Sequence, residues 1–193
     1  MKLTQRFNFA LLYAAQLHAK QVRKGSGSVP YVSHLMGVAS LALEYGADED
    51  QAIAALLHDA VEDQGGKPTL EEIRLCFGEA VAKIVEDCTD SDEMPKPPWR
   101  ERKETYIAHL AHVSAASQLV SCADKLHNAR TITQDYRQVG EALWERFTGG
   151  RKGTLWYYRA ITNAFKSMQN HAIIDELERV VSELERITAQ MEG

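Results

Sequence analysis

The stretch AALLHDAVED, Ala54 to Asp63, carries an apolar helical run straight into His58, Asp59, Glu62 and Asp63. Buried charges are costly unless they are paired, hydrogen-bonded or bound to a metal ion. Side chains of neighbouring helix residues diverge by about 100°, yet His58 and Asp59 can both reach one ion lying off the helix end. Two further ligands must come from elsewhere, and His34, at the start of an earlier helix, and Asp124, within ADKLHN, are the best placed by residue type. Two imidazoles and two carboxylates suit a borderline or hard divalent ion such as Mn, Fe, Zn or Mg, with positions left open for water. Glu62 and Asp63 follow three to five residues later and project to the same side. There they can position or deprotonate a water and hand a proton onward. As a plain helix C-terminus the acidic pair would oppose the helix dipole, a conflict that a cation resolves.

The elements that position these groups read as helical nearly throughout. Phe7, Leu11, Ala14, Ala15 and His18 form one stripe, and GSGSVP, Gly25 to Pro30, is a loop. A second helix runs from near His34 to Gly46, and Asp48 with Gln51 forms a capping box for the helix bearing AIAALLHD. Thr69 and Glu72 give a second capping-box signature for a short helix ending at Gly78, and a helix continues from Glu79 to Thr89. After the proline-bearing loop TDSDEMPKPP come helices over Trp99 to His112, Ala115 to Thr133, Leu155 to Met168 and Ala172 to Met191. No strand alternation or internal repeat is apparent, so the fold class is all-α. A single domain over residues 1–193 is expected, with 172–193 a C-terminal helix.

The totals agree with a globular protein: 193 residues, 45% hydrophobic and 25% charged, with a formal net charge of -5. That charge argues against nucleic-acid binding through a bulk field, so a small anionic ligand needs a local basic patch. No run reaches membrane-span length and the N-terminus is too often interrupted by charge to be a signal peptide, which reads as cytoplasmic with no membrane partner. Cys76, Cys88 and Cys122 are widely spaced and read as core or near-core thiols. The acidic, heptad-like tail ELERVVSELERITAQ packs either on its own domain, the preferred reading, or on a second subunit as a homo-oligomer.

His34, then His58-Asp59, then Asp124 is a layout that resembles the HD superfamily of metal-dependent phosphohydrolases. RKGSGSVPYVSH, AALLHDAVED, FGEAVAKIVEDCTD, RERKETYI and CADKLHNART together resemble the hydrolase domain of the RelA/SpoT-homologue family in its small stand-alone form. WERFTGGRKGTLWYYR is similar to the segment that closes the pocket in bacterial stand-alone members. The resemblance implies an HD-domain helical bundle without a synthetase domain. It also implies hydrolysis of a nucleotide alarmone such as ppGpp to the nucleoside 5′-phosphate and pyrophosphate.

Carried over by the same resemblance, His34, His58, Asp59 and Asp124 are metal ligands, usually for manganese although another divalent ion would fit, and Glu62 and Asp63 are the acidic pair needed for hydrolysis. Arg23 and Lys24 meet base and phosphates, Asn128 and Thr131 meet the nucleoside, and Arg102, Lys103, Lys125 and Arg151 are phosphate candidates. For Arg23-Lys24 the bland alternative is a solvated helix end. Tyr31, Trp156, Tyr157 and Tyr158 offer aromatic walls, with at least two of the last three expected to be ordinary packing. Two departures border the pocket: the glycine- and serine-rich segment between Lys24 and Pro30, and Gln64 where the family commonly has Thr. Adenosine alarmones such as ppApp, or NADPH, are the alternative substrates. An antidote to a toxic synthetase would use the same chemistry, whereas a non-catalytic sensor would not need the acidic pair.

Overall fold

The computed structural model describes residues 2–24, 29–90, 95–167 and 171–190. The chain folds into helices α1 (Gln5–Leu17), α2 (Val32–Glu44), α3 (Glu49–Leu57), α4 (Ala60–Gln64), α5 (Lys67–Phe77), α6 (Glu79–Cys88), α7 (Trp99–His109), α8 (Ala115–Val139), α9 (Gly150–Phe165) and α10 (His171–Ala189). Short 3₁₀ turns follow α7 and α8. Among the described residues there is no strand, only an isolated antiparallel bridge between Val22 and Pro30, and no helix is long and apolar enough to cross a membrane.

Two helices organise the interior. Every residue of α3 from Ala52 to Leu57 is buried, as expected of a helix that is apolar on all sides. The capping box anticipated at Asp48 opens it, with the Asp48 side chain accepting from Gln51 N and the Gln51 side chain accepting from Asp48 N, each at 2.9 Å. The long α8 packs against α2, α3, α6, α9 and α10. It therefore carries Asp124 through the centre of the molecule, where Leu126 and Ala129 are fully buried.

Several details differ from the sequence expectation. Gly66, with φ +64°, and Pro68 in the first turn start α5 at Lys67, so Thr69 lies inside the helix rather than at its cap. The Thr69 hydroxyl instead donates to the Gln64 carbonyl at 3.3 Å. Helix α8 continues six residues beyond Thr133, to Val139, and α9 begins at Gly150 rather than Leu155. Cys76 is exposed, a correction to its core reading, while Cys88 is half-buried and Cys122 buried. The central residues of the glycine- and serine-rich segment, 25–28, and the anticipated helix ends at Met168 and Met191 lie outside the described residues.

The tail packs on its own domain, with α10 lying on α8 and α9. Its outer edge carries Arg130–Glu176 and Arg137–Glu183 pairs at 2.8 Å, and Arg159 bridges Glu178 at 2.7 Å and Glu185 at 2.6 Å. Trp99, at the start of α7, lies against Gly149 and Gly153 of the α9 entry; a methyl group at Gly149 would come within 2.7 Å of the indole. Those two glycines form the socket for that ring.

Candidate active site

The apolar helix does not run through to the acidic pair. Helix α3 ends at Leu57, His58 is its C-cap, and Asp59 is the N-cap of the short α4. Glu62 and Asp63 thus sit in the first turn of a new helix, which removes the dipole conflict expected of them at a helix C-terminus. The break still leaves Asp59, Glu62 and Asp63 lining one cleft, with His58 buried behind them.

The four expected ligands converge. Reactive atoms of His34, His58 and Asp59 lie within 4.8 Å of one another. His58 Nε2 is 2.9 Å from Asp59 Oδ2 and 3.6 Å from Asp124 Oδ1, and His34 Nε2 is 3.5 Å and 3.2 Å from the same two atoms. Both imidazoles are buried, yet neither Nε2 has a hydrogen-bond partner. The other ring nitrogens explain why: His58 Nδ1 donates to the Ala55 carbonyl at 2.8 Å, which leaves a lone pair on Nε2. A lone pair facing carboxylate oxygens is repulsive unless a cation lies between them. His34 Nδ1 is 2.9 Å from His127 Nδ1, and donation from His34 frees its Nε2 in the same way. Burial, then the neighbouring His34 and Arg23, lower His127 to about 4, which keeps it a neutral partner. The donor set and its supporting bonds fit a divalent metal.

Electrostatics concentrate in the same place. Burial opposes charge on His58, but Asp59 and Asp124 outweigh it and raise its pKa well above the ordinary imidazole value, so a proton competes with a cation for the Nε2 lone pair. Burial also opposes ionisation of Asp59 and Asp124; His58 and His34 for the first, and Lys125 with the two imidazoles for the second, hold both well below the usual carboxylate range. Tyr31 donates to Asp59 Oδ2 at 2.6 Å, and burial followed by the Asp59 charge raises its phenol, so it remains a donor. Asp124 accepts from Lys125 Nζ at 2.5 Å and from Asn128 Nδ2 at 2.6 Å.

Beside this cluster opens a cleft of about 370 Å³, within the usual size for a small-molecule site. Glu62 and Asp63 line it. Glu62 pairs with Lys96 at 2.8 Å, and Asp63 accepts from Gln21 Nε2 at 2.7 Å. Desolvation within the cleft, followed by the Asp59 charge, raises the Asp63 carboxyl.

The structure brings Arg23, Lys24, Arg102, Lys103, Lys125, Asn128 and Thr131 to the cleft lining. Arg23 donates to Asn128 at 2.8 Å, while Arg102 and Lys103 share Asp90, the lysine at 3.0 Å. Arg151 is the exception and a correction: it is not among the lining residues, and its guanidinium donates to the Thr188 carbonyl at 2.8 Å, tying α9 to the end of α10. Of the aromatic residues, Tyr31, Tyr157 and Tyr158 line the cleft; Trp156 instead packs under the Arg100 guanidinium, 3.1 Å from the ring centroid.

His127, Gln21, Lys96, Asp90, Trp99, Asp135 and Arg146 were not singled out from sequence. For His127 a signal existed in its place three residues after Asp124, one turn along the helix. The others depend on which loops meet.

Comparison with known proteins agrees with this geometry. An HD domain family profile matches residues 10–155. The guanosine-3′,5′-bis(diphosphate) 3′-pyrophosphohydrolase MESH1 of Xenopus tropicalis is 43% identical over 122 residues, 62% of this chain and 65% of that protein. Its Homo sapiens counterpart is 39% identical over 124 residues, 63% of this chain and 66% of that protein. The aligned stretch thus spans just under two thirds of the length of both relatives. A solved structure described as a metazoan ortholog of SpoT that hydrolyses ppGpp superposes with a TM-score of 0.78 at 27% identity, covering 95% of this chain and 97% of that one.

Proposed function

The chain belongs to the HD domain family, and on that premise we propose that it is a metal-dependent hydrolase of the 3′-pyrophosphate of guanosine alarmones, releasing pyrophosphate and GDP or GTP. The observation that carries the reading is the pair of buried imidazole Nε2 atoms without hydrogen-bond partners, lying against Asp59 and Asp124 beside a basic-walled cleft. The HD domain implies a divalent metal, and Mn²⁺ is the ion we assign; His34, His58, Asp59 and Asp124 would hold it. When bound, such an ion supplies Lewis-acid polarisation and neutralises phosphate charge.

The chain's own groups account for the remaining steps. Arg23, Lys24, Arg102, Lys103 and Lys125 balance the phosphate charge brought into a carboxylate-lined site, and the arginine guanidinium groups match phosphate in bidentate fashion. Asn128 and Thr131 meet the nucleoside, and Tyr31 and Tyr158 wall the cleft. A water oxygen forms a bond to the phosphorus carrying the ribose 3′-oxygen, that P–O bond breaks, and a proton passes to the ribose oxygen. Glu62 and Asp63 orient the water and accept its proton, and the raised carboxyl of Asp63 suits a group that must both take and give one. The proposed reaction is a cytoplasmic one.

The test is product analysis on protein stripped of metal and reloaded with Mn²⁺, offered ppGpp, ppApp and NADPH in parallel. Pyrophosphate release from ppGpp that depends on metal is the expected result. Faster turnover of ppApp or NADPH would reassign the substrate, and metal binding without turnover of any of the three would make the protein a sensor.

A further inference from the structure

The N-terminal helix ends in a hydrogen-bonded cluster that reaches Asp63 of the acidic pair. His18, the C-cap of α1, is 2% exposed, and its Nδ1 lies 2.7 Å from Gln21 Oε1. The Gln64 amide donates to the same Oε1 at 2.6 Å, and Gln21 Nε2 donates to Asp63 Oδ2 at 2.7 Å. The orientations are fixed by what each group can do. An ionised carboxylate only accepts, so the Gln21 NH₂ must face Asp63; its oxygen then faces two donors, and the His18 proton must be on Nδ1. The same imidazole stacks on Tyr31, with ring centroids 5.3 Å apart and planes within 17°, and Tyr31 donates to Asp59.

We propose that Gln21 is a positioning residue for the hydrolytic reaction, its side-chain amide aiming the Asp63 carboxylate while His18 and Gln64 hold that amide in place. The inference rests on the reading of Asp63 as a proton carrier given above. Gln64 closes α4 one residue after Asp63, and its long amide returns across the turn to reach Gln21. An unclamped Asp63 would sample more rotamers, and a poorly aimed proton acceptor lowers the chemical rate rather than substrate affinity.

Three variants of the full chain test it, each measured for kcat and KM on ppGpp and for bound Mn²⁺ per chain: Gln21→Met, Gln64→Leu and Asp63→Asn. Gln21→Met should lower kcat about 10-fold with KM and Mn²⁺ content unchanged, and Gln64→Leu about 3-fold, because it loosens the clamp without removing the donor to Asp63. Asp63→Asn should cost more than either. An unaffected kcat in Gln21→Met overturns the proposal. A fall accompanied by lost Mn²⁺ or raised KM overturns it too, by making Gln21 a support for the metal site or a substrate contact. Should the wild-type protein turn over none of the three nucleotides, the reading of the site falls and the proposal with it; activity in the wild type with no effect at Gln21 removes the clamp alone.

Discussion

Two regions of the molecule are dense in charge and solve that problem in opposite ways. Along the outer edge of α10 four acids meet bases: Glu176 with Arg130 and Arg179, Glu183 with Arg137 and Arg186, Glu178 and Glu185 with Arg159. Around the junction of α3 and α4 the buried imidazoles of His34 and His58 face the Asp59 and Asp124 carboxylates, and neither Nε2 has a hydrogen-bond partner. The first arrangement is complete within the chain and sits where solvent screens it. The second is complete only with a cation from outside. A self-sufficient charge network marks a structural seam, and an insufficient one marks a place for a ligand.

The largest effects should come from breaking the insufficient cluster. Asp124→Ala should abolish bound Mn²⁺ and lower kcat/KM by about 1,000-fold or more, since the ion and its polarising effect are lost together; metal analysis and turnover measured on one sample check it. Glu62→Ala separates the acid from the ligands: bound metal should stay at the wild-type level while kcat falls about 100-fold or more. Loss of metal in that variant would make Glu62 a ligand. Tyr31→Phe removes one hydrogen bond to Asp59 and should weaken metal affinity by about 10- to 100-fold, read by competition with a chelator.

The smallest effects belong to the α10 edge. Arg159→Met should leave kcat, KM and bound metal unchanged and cost about 1 kcal/mol of stability once solvent screening is allowed for, read by denaturant unfolding. Glu176 and Glu178 are held at about 2, chiefly by hydrogen bonds from Arg179 and Arg159. Carboxylates lowered on folding stabilise the protein above their unfolded value, and that contribution is lost as the pH falls through the folded one. Hydrogen-exchange protection of α10 should accordingly decline between about pH 4.5 and pH 2, more steeply in wild type than in Arg159→Met.

What could be read from sequence follows a physical division. That His34, His58, Asp59 and Asp124 come together was legible because metal chemistry restricts residue type, and α3 because a run from Ala52 to Leu57 has nowhere to go but inside. Helix starts were less legible: the Thr69 signature was outcompeted by Gly66 and Pro68, which open α5 two residues before Thr69. Arg151 has the residue type of a phosphate contact, but nothing in its local sequence shows that the end of α10 claims its guanidinium. Gln21 and His127 act only through partners that are distant in sequence, 42 residues for Gln21 to Asp63 and 93 for His127 to His34. Such pairs become visible only when the elements meet.

Of the chain's three tryptophans, Trp99 alone lines the cleft, seated on the glycines at the entry of α9. Trp144 is buried and Trp156 lies beneath Arg100. The molecule therefore carries an intrinsic optical probe in the wall of its own cleft: an occupant there changes the surroundings of one indole.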